Sequence, residues 1–239
     1  MADASRCTDA HDVQSSNARR LANKISVPLK ADLLSISTFR TGLTLHRVHL
    51  GKYSATELNP GRTGNARFSP IQDDKGHPIP TLYAGTTMQC ALMETVFHDV
   101  PYVPGLKTLD KQKLANQVHS KLRLTRPLKL VNLGSVALRR IGVTRRELID
   151  TEKDRYPETR AWARAVHGLC KYAQGLAWTS RQDDSARAVM LFGDRLTGPT
   201  LEQIDDPRNL LEHESTYAKV LTVAMRLGVD LITTASPES

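Results

Sequence analysis

An arginine, a tyrosine and a glutamate fall close together in the 239-residue chain: Arg67 in ARFSP, Tyr83 in PTLYAG and Glu94 in ALMETVFHD. A guanidinium presents a fixed, always charged fork of donors that matches phosphate oxygens. A carboxylate can steady positive charge that grows as a bond breaks. A tyrosine adds a ring for packing and a hydroxyl for hydrogen bonding. Together these groups can hold a polyanion and stabilise a cation formed from it.

A strand running into a helix must position them. IPTLYAG reads as a short apolar strand ending at Gly85, and Thr86 or Thr87 can cap the helix that follows. Met88, Ala91, Leu92, Thr95 and Val96 recur at helical spacing and form the expected buried stripe. Glu94 is about 200° around that helix from Leu92 and from Val96, so it projects away from the stripe. Upstream, LTLHRVHL (43–50) reads as a strand with one slip in its alternation, and it carries Arg47.

Residues 51–80 are rich in Gly, Pro, Asn and Asp and are expected to form a long ordered loop, a length that usually serves function. Beyond the junction, LKLVNL (128–133) reads as a strand. The run 159–175 reads as a helix stopped by Gly175, and 188–192 as a fully buried strand. A last helix over 215–227 should stop at Gly228 and lead into a closing strand, VDLITT. Strands and helices mixed without βαβ alternation predict an α+β fold. Residues 1–22 lack a hydrophobic period and read as a flexible leader, which leaves 23–239 as one domain.

Composition narrows the function classes. A net charge of +8 favours an anionic partner: a nucleotide, a nucleic acid or an acidic protein. The basic cluster Arg139, Arg140, Arg145 and Arg146 reads as a solvated helix face. No helix-turn-helix, zinc or RNA-binding signature accompanies the charge, so direct nucleic-acid binding ranks last. His46, His49 and His98 lack metal-ligand spacing, and no metal is expected. Neither GxGxxG nor a P-loop is present. Cys7, Cys90 and Cys170 are scattered and odd in number, as incidental thiols of a reducing compartment are. Without a bilayer-length apolar stretch or a signal-peptide core, a cytoplasmic location is expected.

Five blocks in order, LHRV with Arg47, ARFSP with Arg67, PTLYAG with Tyr83, ALMETVFHD with Glu94, and GLAWTSRQDD with Ser180 followed by VMLFGDR, resemble the RES domain. Members of that family occur mainly as the toxin half of bacterial RES–Xre toxin–antitoxin pairs. The resemblance implies an ADP-ribosyltransferase-like fold with a mixed, largely antiparallel β core. It also implies an enzyme that binds NAD as substrate, needs no further cofactor and cleaves its nicotinamide–ribose bond. An Xre-type antitoxin would restrain it.

Under that resemblance Arg47 and Arg67 bind the pyrophosphate or ribose, and Tyr83 packs on nicotinamide or hydrogen-bonds the substrate. Glu94 stabilises the oxocarbenium ion, and Ser180 lines the site as a donor. Each also has an ordinary reading: ion-pairing arginines, a core tyrosine, a solvated glutamate paired with His98 at i+4, and a serine capping a turn. Nicotinamide departs neutral and needs no general acid, so a single carboxylate can suffice. Water (a glycohydrolase), inorganic phosphate as co-substrate (a phosphorylase) and a protein side chain (an ADP-ribosyltransferase) all remain open as acceptors.

Overall fold

The computed structural model describes residues 30–101, 104–180 and 185–233. The leader assigned to residues 1–22, and with it Cys7, lies outside them. So do Arg181, Asp183 and Asp184, which follow Ser180 in the GLAWTSRQDD block.

In chain order the strands are β1 (Ile36–Phe39), β2 (Thr44–Leu50), β3 (Thr81–Gly85), β4 (Lys107–Asp110), β5 (Gln117–Leu124), β6 (Leu128–Asn132), β7 (Gly175–Thr179), β8 (Arg187–Phe192), β9 (Leu201–Gln203), β10 (Arg208–Asn209) and β11 (Val229–Ile232). The helices are α1 (Met88–Thr95), α2 (Ser135–Arg140), α3 (Arg145–Leu148), α4 (Tyr156–Leu169) and α5 (Glu214–Leu227). The main sheet runs β1-β6-β7-β8-β3-β2-β5-β10, with β9 also on β5. Its neighbours are antiparallel except for β6 and β7. A separate parallel pair joins β11 to β4.

Strand β8 shows why its apolar run is unbroken. Ala188, Met190 and Phe192 pack into the core beneath α4, while Val189 and Leu191 enter a second core on the opposite face with Leu45, Leu82 and Leu122. A strand covered on both faces needs no polar alternation. Helix α1 is likewise covered on two sides, with Cys90 in the first core and Ala91, Leu92, Met93 and Val96 against α5 in a third. Its buried surface is therefore wider than the predicted stripe and includes Cys90 and Met93. The sector bearing Glu94 stays open.

Two glycines are fixed by close approach. A Cβ on Gly85 would meet Cys90 Sγ at 2.8 Å and Ala91 N at 2.9 Å, so only glycine lets β3 turn directly into α1. A Cβ on Gly175 would meet Met190 O at 2.2 Å. Here the sequence expectation is corrected: α4 ends at Leu169, and Gly175 opens β7 instead of stopping a helix. Arg195 terminates α4 by donating to the carbonyls of His167, Cys170 and Ala173.

Strand β5, unassigned in the sequence, pairs with β2 along its whole length. Polar pairs fill this ladder: half-buried His46 Nδ1 and buried His119 Nε2 are 2.9 Å apart, and buried His49 Nε2 meets Ser120 Oγ at 2.8 Å. The opposite neighbour of β2 is barely attached. Only His46 and Gly85 register between β2 and β3, and the strands then diverge into the 51–80 loop. That divergence opens the sheet where Arg47 and Tyr83 sit.

Candidate active site

The divergence of β2 from β3 leaves a cavity of about 330 Å³, walled by both strands, the 63–69 segment, α1 and Tyr156. Glu94 reaches into it from the open sector of α1 and is gripped at both oxygens. Arg67 Nη1 donates to Oε2 at 3.2 Å, and Ser180 Oγ donates to Oε1 at 3.1 Å. Arg67 and Ser180 are buried, at 7% and 0% exposure, and the Glu94 side chain is 12% exposed. A carboxylate fixed by two donors in a half-dry cavity keeps its orientation without reorganisation, as electrostatic stabilisation of a developing cation requires. The His98 pairing considered from sequence is not formed: His98 bonds the Thr95 carbonyl at 2.7 Å and Asp99 at 3.0 Å.

Helix α1 owes its placement to Thr87, whose hydroxyl accepts from Cys90 N at 3.0 Å, while Thr86 Oγ1 accepts from Arg187 N at 2.9 Å. Of the two candidate caps Thr87 is the one used, and Thr86 ties the junction to β8. The Tyr83 hydroxyl accepts from Phe68 N at 3.1 Å, which holds the Arg67 turn against β3. Desolvation pushes this phenol up to about 12, so it keeps its proton at neutral pH. Its ring meets Trp178 edge-on, and Trp178 in turn meets Phe68, with centroids 6.3 and 5.1 Å apart. From the other side Thr159 of α4 donates its hydroxyl to the Arg67 carbonyl.

Ser180 directly follows β7, and an arginine from the basic cluster sets its position. Arg145 donates through Nη1 to the Thr179 carbonyl and through Nη2 to the Ser180 carbonyl, each at 3.1 Å, while Nε pairs with Asp150 at 3.1 Å. Its own helix starts with a capping box between Thr144 and Glu147. Sequence reasoning passed over Arg145 as surface charge, since its carbonyl partners lie 34 and 35 positions away. No residue pattern encodes such a contact.

Arg47 lines the cavity but also has a structural duty. Its Nη1 donates to the Ala55 and Glu57 carbonyls at 2.6 and 2.7 Å, pinning the start of the long loop. Burial lowers its pKa to about 10, with Glu57 acting in the opposite sense, so it remains a cation at neutral pH. Unspent capacity remains on the wall: Arg67 Nε and Thr81 Oγ1 are buried without a hydrogen-bond partner. The five residues read from sequence thus divide simply. Arg67, Glu94 and Ser180 are joined directly, Tyr83 supports their turn, and Arg47 stands across the cavity on β2. Among the described residues no group of His, Cys, Asp and Glu has metal-site geometry, and no helix is long and apolar enough to cross a membrane.

A curled mixed sheet split at one seam, with helices packed around it, is an α+β fold. The RES domain family model matches residues 44–210, and the chain belongs to that family. The fold is similar to a chain in the crystal structure of the M. tuberculosis MbcT–MbcA toxin–antitoxin complex. The TM-score is 0.52 at 13% sequence identity, covering 76% of this chain and 92% of that one. No curated protein sequence matches the chain significantly.

Proposed function

We propose that this protein is the toxin of a bacterial toxin–antitoxin pair, an enzyme that cleaves the nicotinamide–ribose bond of NAD in the cytoplasm. The observation that carries this reading is the double grip on Glu94 inside the cavity at the β2–β3 seam. As the bond breaks, its electron pair leaves with nicotinamide, which departs neutral, and positive charge spreads over the ribose. Glu94 faces that charge and accepts a hydrogen bond from a ribose hydroxyl. Arg47 and Arg67 offer their remaining donors to the pyrophosphate, and Tyr83 contributes its ring and protonated hydroxyl. Water or inorganic phosphate completes the reaction from the other side of the ribosyl cation, and water loses a proton as it does so.

An Xre-type antitoxin is the proposed restraint, consistent with family membership and with the complex that holds the similar fold. Product analysis tests the reading. Purified protein should release nicotinamide from NAD, leaving ADP-ribose in water and ADP-ribose-1″-phosphate when phosphate is the acceptor. Labelled NAD added to a lysate distinguishes the transferase alternative, which would mark one discrete protein band. A protein that leaves NAD intact under all three conditions would overturn the proposal.

A further inference from the structure

A second concavity, of about 540 Å³, lies between the 61–78 segment and the exposed side of α4. Arg62, Arg160 and Arg164 line it above an apolar floor that includes Pro70, Ile71 and Pro157. Arg160 and Arg164 are four residues apart and share one helix face. No carboxylate lines the groove. Arg62 and Arg164 are exposed, and among the described residues neither makes a hydrogen bond or ion pair.

Arg160 couples the groove to the active-site cavity. Its Nη2 donates to Asn65 Oδ1 at 2.8 Å and its Nε to the Tyr156 carbonyl at 3.1 Å. Asn65 and Tyr156 both line the cavity. The two hollows are therefore separated by little more than the 62–66 segment.

Charge and size point to the same ligand group. Three neighbouring guanidinium groups without a counter-ion repel one another, and a phosphomonoester brings nearly two negative charges at neutral pH. The cavity is at the small end of ligand sites, which run from about 300 to 1,000 Å³, so a dinucleotide must extend beyond it. In Rossmann-type sites a carboxylate receives an unmodified ribose hydroxyl whereas arginine accommodates a 2′-phosphate, and the same pairing of charge applies on any fold. The groove has arginines and lacks a carboxylate.

We propose that this arginine groove binds the 2′-phosphate of a phosphorylated nicotinamide dinucleotide, making NADP a better substrate than NAD. The inference rests on the nicotinamide-cleaving function proposed above and adds its substrate preference.

Nicotinamide release by the full chain from NADP and from NAD tests it. The expected kcat/KM is about tenfold or more higher for NADP, the worth of one charge-assisted contact. The double charge reversal Arg62→Glu with Arg164→Glu, at exposed positions without partners to lose, should push NADP below NAD. The single Arg164→Ala should reduce the preference in part. Turnover of NAD with equal or weaker turnover of NADP overturns the substrate preference and leaves the NAD reading standing. A preference unchanged by the double reversal removes the groove from it. No turnover of either dinucleotide overturns both readings.

Discussion

Ser180 and Glu94, 86 positions apart in the chain, meet at 3.1 Å, with the serine hydroxyl donating to one carboxylate oxygen while Arg67 holds the other. This arrangement makes Glu94 a fixed charge. Replacing it with glutamine keeps its size and an acceptor for Ser180 but removes the charge. We expect Glu94→Gln to lower kcat for nicotinamide release by about 10²–10³-fold, in the range seen when one electrostatic stabiliser is lost. The far-ultraviolet circular dichroism spectrum should be unchanged. Activity within twofold of the parent would remove Glu94 from the chemistry.

Arg145 does not line the cavity, yet it binds the carbonyls on both sides of the peptide that sets Ser180. Arg145→Ala should lower kcat by about tenfold to a hundredfold through misplacement of the serine, with KM nearly constant. Lysine has one charge centre and cannot reproduce three directed bonds, so Arg145→Lys should recover only part of the rate. A change confined to KM would contradict a positioning role.

For Arg47 the expected loss appears in stability as well as in turnover. Arg47→Ala removes two charged hydrogen bonds to the Ala55 and Glu57 carbonyls, and bonds of that kind contribute about 1.5–3 kcal/mol each. Urea denaturation should show a destabilisation of about 3–6 kcal/mol. An unchanged midpoint would mean that the arginine serves the ligand and not the loop.

His119 supplies a pH signature outside the cleft. Burial chiefly, with the nearby His46, Lys121, Arg208 and His49 adding to it, lowers this imidazole from 6.5 to about 4. Below about pH 6.5 the unfolded chain takes up a proton that the folded chain refuses, so stability falls with falling pH until about pH 4. The loss attributable to His119 reaches about 3 kcal/mol at most. Denaturation at pH 7.0 and 4.5 should reveal it, and His119→Gln should flatten the difference. An equal acid loss in that variant would assign the effect to other groups.

The chemistry was more legible in the sequence than the scaffold that holds it. Arg67, Tyr83 and Glu94 stand out because a capped strand-to-helix junction is a local pattern, and Thr87 and Gly85 act within a few residues of what they control. Strand β5 escaped notice because the positions that should alternate hold His119 and Ser120. Their burial makes sense only beside His46 and His49, some seventy residues away. Gly175 was misread because a missing side chain looks the same at a helix end as beneath a neighbouring strand, where Met190 O decides the matter. Arg145 and the Arg160 groove were hidden among other surface cations, since geometry and not residue type sets them apart.

Trp178 gives the cleft an optical reporter of its own. Its indole is fully buried yet touches Phe68 and Tyr83, the two residues that brace the Arg67 turn. A ligand that shifts the turn must alter the surroundings of that fluorophore. The other tryptophan, Trp162, lies on α4 and is partly buried. In a Trp162→Phe background, emission from Trp178 would track occupancy in real time, without a label and before any bond is broken.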